Sequence, residues 1–380
     1  MPSPEQSLLP PEIESLSPAP WPSAPPGFVI RAAIALRRTL QAMADAVVPA
    51  DVAIFERSVG AVHTQIVGAA ARHRIADLLV DGPLHTSEIA ARIGADADAT
   101  HRLMRGLATS GCFTMDGEGR CANNRLSSSL LSNRLSAVRD FAVYFASQSN
   151  CDAWTDFPRT LATGKGAFPR VHGMSVWQWF DEHPEEREGF ARAMMGLTIN
   201  DAPAIASLYP WKEVTRVCDV GGGRGTLLSE LLVRHPHLHG TLCDAPGVIR
   251  SAEQLLDRRG VRARVDLVAG SFFDEVPAGA DVYLLKNVLH DWDDAQSTKI
   301  LGVCRRAMKP GGKVVLAETL TGRNQTDSFG ALSDLQMMVV CDEGRERSRE
   351  DFARLFSQSG FALGRVAESP TVSVIEGVAV

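Results

Sequence analysis

From Arg216 onward, short apolar runs alternate with longer stretches of helical periodicity. Strands are predicted at 216–220, 240–244, 263–269, 281–286 and 313–320, with helices between them. Such alternation implies a parallel sheet covered on both faces. Two final stretches, Ala362–Val366 and Thr371–Val378, predict an antiparallel edge pair. Upstream the pattern is helical. Phe28 to Ala46 carries Ile30, Ile34, Leu40 and Met43 at helical spacing, and Asp51 to Leu79 carries Ile54, Val59, Val62, Ile66, Val67, Ile75 and Leu78. Gly68-Ala69-Ala70-Ala71 inside the second pattern permits close helix packing. Thr86 to Asn123 predicts two short helices, capped at Thr86 or Ser87 and at Asp98 or Thr100. A hairpin around Asp116-Gly117-Glu118-Gly119 follows them, which makes a winged-helix pattern. Ala137 to Leu208 reads as helical and is rich in large side chains. Trp154, Phe168 and Met194 in it, with Met337, Met338 and Cys341 further on, are candidate walls of an apolar substrate pocket. Residues 1–27 are proline-rich and are expected to form a mobile extension.

Composition narrows the function. The chain has 380 residues, 45% hydrophobic and 22% charged, with a formal net charge of −6. That balance fits a globular protein and argues against one built to bind nucleic acid or anionic membrane. A DNA-binding wing would need cations, yet Thr86 to Arg134 holds six arginines against five acids. No apolar run approaches the ~18 residues of a membrane span. The seven cysteines are scattered without a CxxC pair, which fits reduced thiols and a cytoplasmic location.

The candidate chemistry lies at the carboxyl ends of the predicted strands. Val217-Cys218-Asp219-Val220 runs into Gly221-Gly222-Gly223-Arg224-Gly225, then a helix, then a strand ending in Asp244. Glycines let a ligand approach the backbone, and the helix N-terminus offers free N–H groups. A carboxylate ending the second strand suits a pair of ribose hydroxyls. Thr226 stands where a nicotinamide-dinucleotide fingerprint requires Gly or Ala, which disfavours a reductase. His290 follows the fourth strand on the same rim, with Asp291 beside it, and imidazole suits proton removal near neutral pH. Glu318 ends the next strand and Glu346 lies in a later polar turn. Either carboxylate would fix the imidazole tautomer on meeting the ring. No metal is expected, because this His/Asp/Glu set lacks metal-ligand spacing.

Asp219-Val220-Gly221-Gly222-Gly223-Arg224-Gly225, Asp244-Ala245-Pro246-Gly247-Val248, Gly270-Ser271-Phe272-Phe273, Leu285-Lys286-Asn287-Val288-Leu289-His290-Asp291-Trp292, Pro310-Gly311-Gly312 and Gly344-Arg345-Glu346-Arg347-Ser348 together resemble the S-adenosylmethionine-dependent O-methyltransferases of the caffeic-acid and plant-natural-product type. Bacterial relatives of that family tailor natural products. The resemblance spans roughly Asp51 to Val380. It implies an α/β, Rossmann-like seven-stranded methyltransferase sheet with an N-terminal, mainly helical winged-helix dimerisation domain. The expected divisions are 1–27, 28–136 for dimerisation, 137–208 as a helical connector lining the substrate pocket, and 209–380 for catalysis. By resemblance, Gly221, Gly222 and Gly223 hold the methionine end of S-adenosylmethionine and Asp244 the ribose. Ser271 and Phe272 would hold the adenine, and Lys286 would reach in from the next strand. Ser271 stands where the family usually has an acid. His290 would be the general base, flanked by Glu318 and Glu346 with Asp291 beside it. The partners implied are a second copy of the chain and a small hydroxylated acceptor, aromatic or polyketide-derived, with S-adenosylhomocysteine as product. Two rivals remain open on sequence. One is a methyltransferase fold turned to hydroxylation, decarboxylation or cyclisation, and the other is a ligand-responsive winged-helix DNA-binding regulator.

Overall fold

The computed structural model describes residues 16–23, 25–322 and 330–380. These fall into two compact units. One comprises residues 26–151 and 184–197, and the other residues 16–25, 152–183 and 198–380. The stretch 137–208, expected as one connector, is therefore shared between them.

In the helical unit, α1 (Gly27–Ala46), α2 (Ala50–Ser58) and α3 (Gly60–Arg72) come first. The long pattern expected from Asp51 to Leu79 is broken near Val59 and at His73. Gly68 is where α3 meets α6 (Val138–Phe145), because a Cβ there would lie 2.2 Å from that of Ala146. The winged-helix part is a three-stranded sheet, β1 (Leu84–His85), β3 (Arg120–Ala122) and β2 (Thr114–Met115), with α4 (Thr86–Ile93) and α5 (Ala97–Thr109). The helix caps sit earlier than expected. His85 caps α4 with Glu88 closing a capping box, and Asp96 caps α5. Ile75, Ile89, Met104, Leu107 and Phe113 form the core.

In the other unit, seven strands form one sheet in the order β6-β5-β4-β7-β8-β10-β9. They are β4 (Arg216–Val220), β5 (His239–Asp244), β6 (Val265–Ala269), β7 (Val282–Lys286), β8 (Lys313–Glu318), β9 (Phe361–Glu368) and β10 (Ser373–Ala379). The first five are parallel, and the last two add the expected antiparallel pair. The chain runs outward from β4 through β5 to β6, then returns to place β7 on the other side of β4. That reversal opens a crevice beyond the carboxyl ends of β4 and β7. The same unit also holds α8 (Ala167–His172) and the C-terminal parts of α7 (Gln148–Thr155) and α9 (Pro184–Leu208). After the glycine turn come α10 (Thr226–Arg234), α11 (Ala252–Arg258), α12 (Asp294–Ala307), α13 (Gly330–Val340) and α14 (Arg349–Gln358). Leu227, Leu228, Leu231 and Leu232 are all buried on α10, which fixes its start against the sheet edge.

Residues 16–23 do not behave as the mobile extension expected of 1–27. Leu16 and Trp21 are buried, and this stretch is hydrogen-bonded to α10 and to Arg259 after α11. Residues 1–15 and Ala24 lie outside the described residues. No helix among the described residues is long and apolar enough to cross a membrane.

Candidate functional site

Gly221, Gly223 and Gly225 all take positive φ, a conformation that a side chain would strain. A Cβ on Gly222 would lie 2.5 Å from the Asp219 carboxylate, whereas one on Gly223 would meet nothing within 4 Å. The turn therefore packs tightly behind Gly222 and is open in front of Gly223. Asp244, half-buried at the end of β5, accepts from the Gly223 N–H at 2.8 Å and the Ala245 N–H at 2.6 Å. These bonds hold its carboxylate at the rim of the turn. Asp219 is buried, with Oδ2 unpartnered among the described residues. Burial, then repulsion from Asp244, raises its pKa to about 7 despite the nearby Lys286. Lys286, at the end of β7, pairs with Asp201 of α9 at 3.3 Å, and both are largely buried. Asp201 was missed on sequence, since an acid in mid-helix carries no local signal.

Phe272 follows β6, and its ring comes 3.5 Å from where a Gly221 Cβ would be. It leads an aromatic series through Phe273 and Trp292 to Trp177. Ser271 is exposed, and its Oγ accepts from the Phe273 N–H.

The second half of the site is built by β7 and β8 lying side by side, with Lys286 opposite Ala317. After β7 the backbone turns through Asn287, at positive φ, into a single helical turn, Leu289–Asp291, that carries His290. Glu318 is fully buried at the end of β8, and its Oε1 accepts from the N–H groups of Val288 and Leu289. Arg347, also buried, donates to the carbonyls of Leu289 at 2.6 Å and Trp292 at 2.7 Å, and pairs with Asp294. The turn is thus held from both ends. Arg347 carried no role on sequence, because nothing in Arg345-Glu346-Arg347 tells which charge turns inward. Gly344 packs against this turn, where a Cβ would lie 2.8 Å from the His290 carbonyl.

Three carboxylates surround the His290 ring. Nδ1 is 3.1 Å from Glu346 Oε1 and 4.0 Å from Glu318 Oε2, and Nε2 is 3.5 Å from Asp291 Oδ1. An ionised carboxylate only accepts, so Nδ1 carries the hydrogen toward Glu346. Ser333 Oγ and the Asp334 side chain hold Glu346 in place. Burial alone would lower the His290 pKa, but Asp291, Glu318 and Glu346 outweigh it and raise it to about 10. Burial in turn pushes Glu318 up to about 7 and Asp291 up to about 6. His290, Glu318 and Glu346 also offer one ligand atom each within 4.8 Å of one another. Glu318 comes from the end of β8 and Glu346 from the turn before α14, so the grouping joins the sheet edge to a loop. The set is anchored by hydrogen bonds to protein groups and can hold or pass a proton.

The expected pocket residues divide. Trp154 donates from Nε1 to Gln336 of α13 at 2.8 Å, and buried Cys341 donates to Asp291. Met337 and Met338 follow Gln336 on α13 and are half-buried. Phe168 is buried against His172 and Trp179, which is a core environment. Met194 falls within the helical unit.

A family profile described as an O-methyltransferase domain matches residues 154–362, and one described as an O-methyltransferase dimerisation domain matches residues 56–133. Phenazine O-methyltransferase of Lysobacter antibioticus is 37% identical over 82% of this chain and 92% of its own. The 8-amino-8-demethylriboflavin N,N-dimethyltransferase of Streptomyces davaonensis is 31% identical over 78% of this chain and 86% of its own. An O-methyltransferase from neocarzinostatin biosynthesis, crystallised with S-adenosylmethionine and 2-hydroxy-5-methyl naphthoic acid, is 33% identical with a TM-score of 0.75. The match covers 84% of this chain and 96% of that one.

Proposed function

The chain belongs to the O-methyltransferase family, and on that premise we propose that it methylates a hydroxyl of a small aromatic or polyketide-derived natural product, with S-adenosylmethionine as donor and His290 as general base. One observation carries the reading. The glycine turn with Asp244 and the His290 turn share one rim, because β4 and β7 are paired neighbours. The residues fit the cofactor. Gly223 leaves open space in front of the turn, Phe272 offers a ring face, and the Lys286–Asp201 pair offers both charges to a zwitterionic end. S-adenosylmethionine, when bound, supplies a methyl group already activated on a sulfonium.

The chain's own residues position the acceptor and manage its proton. A hydroxyl approaching Nε2 displaces the Asp291 carboxylate, which lies 3.5 Å away. Nε2 then takes the proton, while Nδ1–H stays on Glu346 and the resulting imidazolium is stabilised by that carboxylate and Glu318. Trp154, Gln336, Met337, Met338 and Cys341 line the acceptor side, and Trp292 with the Phe272–Phe273 pair excludes water on the other. An amine acceptor is a second reading, favoured by the riboflavin-analogue relative, and it would require the same proton removal.

The homodimer belongs to the same proposal. Every residue of α1 is at least partly exposed, and Phe28, Leu36, Leu40, Met43, Ile54 and Phe55 present apolar surface that a second copy would cover.

Calorimetric titration of S-adenosylmethionine tests the first step. The intact protein should bind it and Asp244→Ala should lose binding, whereas His290→Ala should keep binding and lose turnover by at least about 10²-fold. Undiminished turnover in His290→Ala would remove it from the base role. Release of S-adenosylhomocysteine in step with methylated product separates methyl transfer from hydroxylation, decarboxylation or cyclisation.

A further inference from the structure

Away from the His290 turn, a buried carboxylate and guanidinium and a second, partly exposed guanidinium cluster beneath the N-terminal segment. Glu230 of α10 is fully buried and pairs with Arg234 on its own helix and with Arg259 just after α11. Arg259 Nη1 donates to the carbonyls of Ser17 and Ala19, each at 2.7 Å. Arg234 Nη2 donates to the carbonyl of Trp21, and the Trp21 N–H donates to Glu230 at 3.1 Å. The Trp21 ring covers the Arg259 guanidinium, with its centroid 4.4 Å away. Residues 17–21 therefore supply hydrogen-bond partners to all three charges and help keep water from Glu230 and Arg259. The family matches begin at residue 56, so this segment lies outside both.

The cluster joins the two helices that frame the glycine turn. Gly225, the last glycine of that turn, is the N-cap of α10, and α11 follows the loop after Asp244. Leu256 of α11, three residues before Arg259, reaches within 3.3 Å of where a Gly225 Cβ would be. A change in spacing between α10 and α11 is thus felt at Gly225. The ion pair that sets this spacing is strongest where water is excluded, since charge attraction weakens as the local dielectric rises.

We propose that residues 16–21 form a positioning strap for the glycine turn, in which Trp21 shields the Glu230–Arg259 tie and so raises affinity for the nucleoside cofactor without touching it. The inference rests on the cofactor reading above. The test compares the full chain, a form lacking residues 2–22, Trp21→Ala and Trp21→Phe, each well below its melting temperature. S-adenosylhomocysteine is titrated by calorimetry, and steady-state rates are measured with both substrates. The truncated form and Trp21→Ala should bind about tenfold more weakly and show a matching rise in cofactor KM, with Trp21→Phe restoring most of the affinity. Acceptor KM and kcat at saturating cofactor should stay unchanged, which a general loss of packing would not produce. Hydrogen exchange should quicken over Gly225–Leu232. Unchanged cofactor affinity in a folded Trp21→Ala protein overturns the strap while leaving the cofactor site intact. Failure of the full chain to bind S-adenosylhomocysteine overturns the cofactor reading and the strap together. If the truncated form does not fold, Trp21→Ala alone decides.

Discussion

Replacing Glu346 with Gln probes the proton chemistry most directly. The amide oxygen can still accept from His290 Nδ1 and from Ser333. The new NH2 group takes the place of an oxygen with no partner among the described residues, and it can turn toward the similarly unpartnered Glu318 Oε2. What is lost is one negative charge 3.1 Å from the ring. An opposite charge this close shifts a pKa by about 1–3 units, or roughly 1.4–4 kcal/mol. With His290 raised to about 10, little of the imidazole is neutral at pH 7.5. The sign follows from that. A raised histidine pKa means the base form appears only as pH rises, so kcat/KM should climb through the neutral range toward pH 10. In Glu346→Gln the midpoint of that climb should fall by about 1–3 units. The plateau should also fall, because a weaker base removes the proton less readily. The assay follows S-adenosylhomocysteine release from about pH 6 to pH 10.5 with acceptors of independently measured pKa. A midpoint that follows the acceptor's pKa and ignores the substitution would refute the reasoning. It would mean that the acceptor enters as an anion and pairs with the imidazolium.

Gly344→Ala should push the His290 turn away from its place, since the added methyl meets the His290 carbonyl and the Cys341 side chain. We expect a loss of about 1–3 kcal/mol in urea unfolding and a fall in kcat of about 10–100-fold, with cofactor affinity retained. Equal kcat in that variant would show that the turn tolerates the shift. Ser348 caps α14 and, with Arg354, holds Asp351 at about 2, overcoming the upward push of burial. Ser348→Ala should cost about 1 kcal/mol at neutral pH. The cap bond to the Asp351 N–H does not titrate, but the Ser348 hydroxyl also donates to the Asp351 carboxylate. Because the folded pKa lies below the unfolded one, that second bond contributes fully above about pH 4 and weakens as pH falls toward about 2, so the gap from wild type should narrow over that window. A gap of unchanged size at pH 2 would uncouple Ser348 from Asp351 ionisation.

Much of this molecule was legible as local pattern. The five parallel strands and the two antiparallel ones lie within a few residues of their predicted places, because buried strands are short apolar runs that turn residues end. The glycine turn and Asp244 could be found for the same reason. Their roles depend on backbone conformation and spacing along one βαβ unit. The pattern misled in two places. The helix expected from Asp51 to Leu79 breaks at Val59 and His73, and residues 16–23 are ordered by charges more than two hundred residues away.

The sequence by itself determined the elements and the rim on which the candidate residues lie. Local pattern left open which of Glu318 and Glu346 meets the ring, although the resemblance implied both, and only the packed structure shows Glu346 bonded to the ring at 3.1 Å while Glu318 anchors the turn beneath it. Only the structure revealed Arg347, Asp201 and the Glu230–Arg259 pair as buried charges. The physical reason is common to all of them. Periodicity records which side of an element faces the core, whereas the partner of a buried charge is set by strand order and helix docking, which no local window of sequence contains.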